Sequence, residues 1–599
     1  MSWSLGAPPI LLAGASPLAA QVAAGLGRAR RRFEQIADPA AVVPAPALLR
    51  RLQRALVLVL ADPQDAAASL AALARACQRR AAGRAPLRVL LIHDTGNAAP
   101  APLPLPAVPA TLQLEQIDLA ARAARLLLAR WPLHQGADPG DDQAIHLIIA
   151  GRAPPAEALL VQALRGGHYG ERPLHITLLA GAAAAWQRAF MAAYPQAGQI
   201  ARLRFLGPDD PELLNGPPVS LVWVCPALPS AGLAVAIGLA RQLAAGQGVS
   251  PPILLEVGAT QPTGTLADWD GQIIPVSYRD TVLAPEVLLE ARTDALAQVI
   301  HGHYRDSIEA QGRDPASEPA GQPWATLAES YRDANRQQAD HLWAKLAVTD
   351  CRAVAEEQVE SFAFTPVEVE RLAQIEHARW AADRYLDGWS YAPVRDNARK
   401  QHPQLILYRD LSGPMQDLDR FAVRQVPALL ARSSLGVVRM LILGLAPLPP
   451  GFPAAALTDA RLHRRFGQIL RRLLARYPAR GLILASTLAE APARRFAQRA
   501  LDEAGAGLFL LGDRPLPALL AGLDAAARLE TLALVARAER RIPLPAPGEL
   551  LRWLHRRAEI LLEFAPTATP RGTAAVSAAG APKRVEIDPA GRLHWGFEY

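Results

Sequence analysis

Aromatic and cationic side chains crowd into residues 376–412 of a chain that is otherwise rich in Ala, Leu, Arg and Pro. The segment reads EHARWAADRYLDGWSYAPVRDNARKQHPQLILYRDLS. Trp and Tyr rings can stack on a planar ligand or pack against a partner, and Arg and Lys donate to phosphate or carboxylate. An anionic planar ligand such as a nucleotide is therefore one candidate occupant. The candidate ligand-binding residues are Trp380, Trp389, Tyr391, Arg395, Asn397, Lys400, His402 and Tyr408.

A second interpretation of the same segment is a small helical module whose Trp residues form its own core. At 100° per residue, a helix over residues 372–386 places an apolar stripe on one side. Trp380 falls on the opposite side with Glu376, Arg384 and Asp387, and Gly388 is a natural helix terminator. Both interpretations stay open from the sequence. The stripe consists of Leu372, Ile375, Ala378, Ala382, Tyr385 and Leu386.

The segment resembles the RyR domain, the repeat named for ryanodine receptors and also found in bacteria. The resemblance covers roughly 50 residues, and Ala392 stands where the family commonly has Gly. It implies regulatory or ligand-sensing roles with nucleotide-like ligands, and no catalytic residues. The matching positions are Trp380, Gly388, Trp389, Tyr391, Arg395, Asp396, Lys400, His402, Pro403, Leu405, Tyr408, Leu411, Asp419 and Arg420.

Two glycine-containing turns follow apolar runs near the start of the chain and could cradle a phosphate at a helix N-terminus. In LLAGASPLAAQV the turn carries Gly14 and Ser16, and in IIAGRAPPAEALL it carries Gly151 and Arg152. These four are the candidate cofactor-binding residues. The layout resembles the nucleotide-binding (TrkA-N-like) domains of bacterial potassium-uptake regulators, but Ser16 replaces the second glycine of the dinucleotide fingerprint. A Rossmann-like scaffold that has lost its dinucleotide is the favoured interpretation.

A third site candidate lies near the C-terminus, in STLAEAPARR. This piece resembles the SLOG superfamily of Rossmann-like domains that sense or process nucleotides, and the resemblance carries Ser486, Glu490 and Arg494 as cleft residues. Ala491 and Ala493 replace a glycine and an acid of that family's pattern. The Pro-Gly-Gly-x-Gly-Thr loop of that superfamily's phosphoribohydrolase branch is also absent, which argues against hydrolysis.

No catalytic or metal-binding pattern stands out. His301 and His303 are two residues apart, so they do not share a helix face. Walker A, HExxH, GxSxG and CxxC motifs do not occur in the sequence. We expect no catalytic residues, no metal site and no certain cofactor, with a nucleotide as the one candidate.

The elements that must position these residues follow an α/β pattern. Eight short apolar runs alternate with helical stretches in the first half, which predicts tandem Rossmann-like parallel sheets. They lie at 8–14, 55–62, 88–94, 144–151, 174–181, 201–207, 219–227 and 252–258. The pattern returns after residue 435. The predicted domains are a degenerate Rossmann-like unit at 1–138, a second at 139–283, a helical connector at 284–364, a small helical RyR module at 365–434, a SLOG-like Rossmann-like domain at 435–545, and a C-terminal helix with a flexible tail at 546–599.

The bulk composition narrows the class of protein. The net charge of +7 is spread over 599 residues, mostly as Arg on helical faces, so nucleic acid is not an expected partner. Three distant cysteines, Cys77, Cys225 and Cys351, fit a reducing compartment. No apolar run reaches the length of a membrane span. A cytoplasmic location is expected.

The leading functional hypothesis is a non-enzymatic regulatory or sensor protein. Its RyR and Rossmann-like domains would bind a nucleotide-like ligand or a protein partner. The first alternative is a nucleotide-processing enzyme that uses Glu490 as acid or base in the C-terminal cleft. The second is a structural scaffold whose aromatic residues form a homo-oligomer interface.

Overall fold

The structure is a computed structural model that describes most of the chain. The described residues are 10–37, 57–60, 70, 87–94, 112–258, 271–290, 294–359, 361–450, 452, 459–565 and 581–596. Cys77 and residues 566–580 of the predicted flexible tail lie outside these ranges. Within them, the mixed α/β class with several parallel sheets is confirmed.

The first unit is a parallel sheet in the order β2-β1-β3-β4-β5. The sequence does not predict its edge strands β2 and β5. Their sequences, FEQI and LQLEQID, mix polar and apolar residues, as those of exposed edge strands do. The described elements are β1 (Ile10–Ala13), α1 (Pro17–Arg28), β2 (Phe33–Ile36), β3 (Val57–Leu60), β4 (Leu87–His93), β5 (Leu112–Asp118) and α2 (Leu119–Arg130).

The second unit is a six-stranded parallel sheet in the order β8-β7-β6-β9-β10-β11. Counted from its own first strand this is 3-2-1-4-5-6, the dinucleotide-binding Rossmann order with a switch point between β6 and β9. The elements are β6 (His146–Ala150), α3 (Ala156–Gly166), β7 (Leu174–Leu179), α4 (Ala183–Ala193), β8 (Ala201–Leu206), β9 (Leu221–Val224), α5 (Pro229–Gln247), β10 (Ile253–Glu256), β11 (Ile273–Val276) and α6 (Tyr278–Leu283). Each of the eight predicted runs contains an observed strand, and the unpredicted β11 is again at an edge.

A helical connector and the small module that we call the aromatic module (residues 365–434) follow. The connector also supplies a strand, β12, which the sequence does not predict and which pairs antiparallel with the C-terminal sheet. The elements are α7 (Pro285–Glu290), α8 (Ala295–Ala310), α9 (Glu329–Val348), β12 (Cys351–Ala355), α10 (Pro366–Leu386), β13 (Ser390–Tyr391), β14 (Gln401–His402), α11 (Gly413–Arg424) and α12 (Val426–Ala431).

The C-terminal sheet has the order β18-β17-β16-β15-β19-β20-β21, and only β21 runs antiparallel on this path. The sequence predicts a helix and a flexible tail after residue 545, whereas residues 560–564 and 583–595 supply β19, β20 and β21 to this sheet. The elements are β15 (Leu435–Leu445), α13 (Asp459–Arg476), β16 (Arg480–Ser486), α14 (Ala491–Glu503), β17 (Gly507–Gly512), α15 (Leu516–Leu520), α16 (Ala525–Arg537), β18 (Arg540–Pro543), α17 (Glu549–Arg557), β19 (Ile560–Phe564), β20 (Lys583–Ile587) and β21 (Leu593–Trp595).

The loop between the first two units, at residues 133–143, connects them to the C-terminal domain through a buried aspartate. Asp138, which is fully buried, accepts hydrogen bonds from Arg540 Nη1 at 2.9 Å, Arg557 Nε at 2.9 Å and Trp553 Nε1 at 3.0 Å. All three donors belong to the C-terminal sheet or its helix α17. Burial alone would raise the pKa of Asp138, but Arg557 and Arg540 lower it. The carboxylate therefore fixes the C-terminal domain against the second unit.

One apolar core runs through the first two units, the connector and the aromatic module, and ends at β15. The two faces of the C-terminal sheet carry separate cores. Across the described ranges, every helix falls short of the length and apolar character that crossing a bilayer demands.

Candidate functional site

Helix α10 carries the aromatic module and has well-defined ends. Thr365 accepts from the Glu368 backbone N–H, and the Glu368 carboxylate accepts from the Thr365 N–H at 2.7 Å, which forms a capping box. Gly388 adopts a φ of +82° just after the helix, as a C-terminal glycine can. Lys400 Nζ donates to the carbonyl oxygen of Asp387 at 2.7 Å. Gly388, the predicted helix terminator, therefore stands between the end of α10 at Leu386 and the loop that follows.

The polar face of α10 points into the protein. Glu376 and Arg379 are buried, and Arg379 Nη2 donates to Glu376 Oε1 at 2.7 Å. Arg379 Nη1 also donates to Asp383 at 2.9 Å. Sequence periodicity places Glu376 on the same side as Trp380, opposite the apolar stripe, but the helix is enclosed on this side too. Glu376 meets Lys345 of α9 there, so these charges join the module to the connector.

The Trp residues of the module pack against histidines of the same module. Trp380 stacks on His377 with ring centroids 5.6 Å apart, and His402 lies edge-on to Trp380 at 5.1 Å and to Trp389 at 6.0 Å. The Arg384 guanidinium carbon lies 5.9 Å from the Trp380 ring and 5.5 Å from the Trp389 ring. Trp389 is only 9% exposed. These rings and Arg384 form a filled aromatic cluster.

Two further predicted residues, His402 and Tyr408, are also buried. Burial lowers the pKa of His402, and Arg395 and Arg384 act in the same direction. Its Nδ1 accepts from the Gln404 backbone N–H at 3.1 Å. Burial and the neighbouring Glu370 carboxylate raise the pKa of Tyr408 to about 12. His402 and Tyr408 are thus part of the packed interior of the module.

The loop between β13 and β14 is the part of the predicted site that meets solvent. Tyr391 is 55% exposed and Val394 is 75% exposed. Arg395 and Asn397 are exposed as well, and Arg395 Nε donates to Asn397 Oδ1 at 2.9 Å. At the end of the loop, Lys400 Nζ donates to the Asp387 carboxylate at 3.1 Å. We call residues 390–400 the exposed loop.

The eight predicted ligand-binding residues therefore separate into two groups. Trp389, His402 and Tyr408 are buried inside the module and the partly buried Trp380 packs against Trp389 and His402, whereas Tyr391, Arg395, Asn397 and Lys400 lie on the exposed loop. Sequence reasoning did not single out His377 or Arg384, which complete the aromatic cluster. The signal available for both was helical spacing, because Arg384 follows Trp380 by four residues and His377 precedes it by three.

The two glycine turns use their backbone groups internally. Gly14 N–H donates to Ile36 O at 2.9 Å, and Ser16 caps α1 by accepting from the Ala19 N–H at 3.1 Å. Gly151 N–H donates to Leu179 O at 2.8 Å. A Cβ on Gly151 would collide with the Cys225 carbonyl, so at the switch point this glycine lets β6 approach the end of β9.

Arg152, the second predicted residue of that turn, lies with its guanidinium carbon 5.8 Å from the Trp186 ring. Trp186 is a fully buried residue of α4. The arginine is therefore placed beside α4, the second helix of the second unit.

In the C-terminal candidate, Ser486 and Arg494 hold the turn that follows β16. Ser486 Oγ accepts from the Leu488 N–H at 3.2 Å. Arg494 Nη1 donates to the carbonyl oxygens of Leu488 at 3.2 Å and Ala489 at 2.9 Å, and Arg494 also pairs with Glu530. Leu488 has a φ of +58°, a conformation that a branched side chain adopts only under such restraint. Glu490 is the residue before α14.

Comparison with known proteins places one segment in a family. Residues 365–437 match the family model for the RyR domain. The match covers the aromatic module and the first residues of β15. A search of curated proteins gave no match for this chain.

Proposed function

We propose that the chain is a non-enzymatic regulatory protein whose RyR domain recognises a protein partner or a nucleotide-like ligand through the exposed loop. The observation that carries this proposal is the exposure of Tyr391, Val394 and Arg395 on a loop whose two ends are anchored. Lys400 ties one end to Asp387, and β13 pairs with β14 at the other. An anchored loop loses little conformational entropy when it binds.

The filled aromatic cluster favours a protein partner over a stacked nucleotide. A planar ligand would have to displace His402 or Arg384 to reach the Trp380 and Trp389 faces. The exposed loop instead offers an aromatic, an aliphatic and an Arg side chain side by side. Tyr and Arg are enriched in protein interfaces, where buried aromatic anchors carry much of the binding energy.

The enzyme alternative draws no support from the C-terminal turn. Ser486 and Arg494 are both buried and are engaged in holding the backbone of residues 488–489. Glu490 would have to act without either of them.

The test for a protein partner is site-specific photo-crosslinking in the full chain. A photoreactive residue replaces Val394, and the same residue replaces Leu228, which is 67% exposed on the second unit, as the matched control. We expect a defined cross-linked species from position 394 that is absent from position 228 and is abolished by Arg395→Ala. Identical products from both positions would show that the loop has no partner preference.

The test for a nucleotide-like ligand is calorimetric titration with mono-, di- and cyclic nucleotides. Binding at the loop should weaken in Tyr391→Ala, which leaves the module folded because Tyr391 is exposed. Trp389→Ala is unsuitable as a binding probe, since truncating a buried Trp costs about 3–5 kcal/mol and disturbs the cluster. A nucleotide whose affinity is unchanged in Tyr391→Ala and Arg395→Ala does not bind this loop.

A further inference from the structure

A cleft lies between the second unit and the C-terminal domain. One wall is the segment 248–251 before β10, and the other is formed by the carboxyl ends of β16, β17 and β18. The carboxyl ends of the strands form the edge at which parallel α/β sheets bind ligands. The cleft therefore lies at an edge of the sheet where a ligand site can form.

Arg541 lines the cleft and is only 8% exposed. Its guanidinium donates to two backbone carbonyls, those of Gly271 and Val535, the latter at 3.3 Å. Nε is buried without a hydrogen-bond partner, and in the described parts of the chain no carboxylate pairs with Arg541. Burial lowers the pKa of Arg541 to about 10, which still leaves it charged at neutral pH. Burying a charge without a counter-charge costs free energy, and an anion bound beside Arg541 would offset that cost.

The other charges on the cleft wall compensate each other. Arg514 donates to both oxygens of Asp513, at 2.9 and 3.1 Å. The positive charge of Arg541 therefore remains unbalanced among these three residues. Thr487, which is also buried and lines the cleft, accepts from the Ala489 N–H at 3.4 Å through its hydroxyl oxygen. Its own O–H proton can donate to a bound oxygen.

The remainder of the wall is apolar. Val219 comes from the second unit, and Leu510, Leu516 and Leu519 come from the C-terminal domain. Such a surface covers an organic group and excludes water from a charged contact beside it. A ligand held here would touch both units at once.

We propose that this cleft binds a phosphate group, either free or as part of a small phosphate ester, through the guanidinium of Arg541 and the hydroxyl of Thr487. Phosphate oxygens suit the planar donor fork of Arg, and charge-assisted hydrogen bonds of this kind are the strong ones. In an ester, the organic group lies against the apolar wall. The site is separate from the exposed loop of the RyR domain, so its occupancy and the function proposed for that loop can fail independently.

The experiment is isothermal calorimetry on the full chain with three probes. AMP and adenosine differ only by the phosphate, and inorganic phosphate tests the free anion. We expect saturable binding of AMP, competition by inorganic phosphate and no comparable binding of adenosine. Binding of inorganic phosphate but not AMP assigns the free anion as the occupant. No binding by either phosphate probe, or adenosine as tight as AMP, overturns the proposal.

Variants then assign the binding to the cleft. Arg541→Met should weaken phosphate binding by on the order of 10- to 100-fold, since it removes a charge-assisted contact. The exposed Arg552→Met is the matched control and should bind as the parent does. In the absence of ligand, Arg541→Met removes a buried charge but also the hydrogen bonds to the Gly271 and Val535 carbonyls, so its melting temperature is measured alongside the titration. Unchanged affinity in Arg541→Met refutes the assignment.

A second variant keeps the test independent of the folding of Arg541→Met. Thr487→Val is nearly isosteric, keeps every charge of the cleft and removes only the hydroxyl. It should weaken binding by about 10-fold or more, since a hydrogen bond to a charged group contributes about 1.5–3 kcal/mol. Unchanged phosphate affinity in Thr487→Val counts against this placement of the anion.

Discussion

Lys345 Nζ lies 2.7 Å from Glu376 Oε2, although both side chains are almost fully buried. Lys345 belongs to the connector helix α9, and Glu376 belongs to the first helix of the RyR domain. Burial would raise the pKa of Glu376, but Arg379 and Lys345 lower it well below its ordinary range. Burial lowers the pKa of Lys345, and Glu376 opposes that effect. The charged pair therefore fixes the orientation of the RyR domain on the rest of the chain.

Lys345→Met should destabilise the protein by about 3–5 kcal/mol, because it removes one partner of a buried ion pair. Lys400→Met is the control, since Lys400 pairs with Asp387 at an exposed position and should cost less than about 1 kcal/mol. Urea unfolding followed by tryptophan fluorescence measures both. Equal losses in the two variants would contradict a special role for the buried pair.

The loop at residues 133–143 offers a matched pair of aspartates. Asp138→Asn should remove a buried carboxylate from Arg540 and Arg557 and cost at most about 3–5 kcal/mol, because Arg557 keeps its pairing with Asp350. Asp141 pairs with the half-exposed Arg556, so Asp141→Asn should cost less than about 1 kcal/mol. Thermal unfolding measures the difference. Limited proteolysis should cleave Asp138→Asn faster between the second unit and the C-terminal domain. Equal melting temperatures of the two variants would show that Asp138 does not hold the C-terminal domain against the second unit.

The glycines that follow β6 and β7 make a second matched pair. Gly151 has a φ of +90° and no room for a Cβ beside Cys225, while Gly181 has open space at that position. Gly151→Ala should therefore lower the melting temperature, with a conformational cost alone of about 1–2 kcal/mol. Gly181→Ala should leave it nearly unchanged. Equal melting temperatures would show that the turn relaxes around the added methyl group.

His146 predicts a pH dependence of stability. Burial lowers its pKa to about 4, against about 6.5 in an unfolded chain. As the pH falls from about 6.5 to about 4, the unfolded chain gains a proton that the folded state does not, so this contribution to stability declines. His146→Gln should flatten the dependence of the melting temperature over this range. The exposed His463→Gln should keep the parental slope, and a parental slope in His146→Gln would contradict the prediction.

The sequence by itself determined the central strands, the helix over residues 372–386 of the RyR domain and the glycine that ends it. Each of these depends on short-range patterns, because a strand covered on both faces is continuously apolar and a helix end needs particular residues. The edge strands β2 and β5 were not predicted, because polar residues interrupt their sequences FEQI and LQLEQID. The edge strand β11 was not predicted either; its sequence IIPV is apolar but only four residues long and contains a proline.

The tertiary structure decided what each charged or aromatic side chain does. Asp138 and Arg557 are 419 positions apart, and no local pattern indicates that they meet. Trp380 is off the predicted apolar stripe, yet His377 and His402 cover it. Arg541 occurs in the short strand β18, RRIP, and only the packing of two domains shows that no carboxylate among the described residues pairs with it. Periodicity reports how much of an element is buried, but the identity of its neighbours depends on which elements the fold brings together.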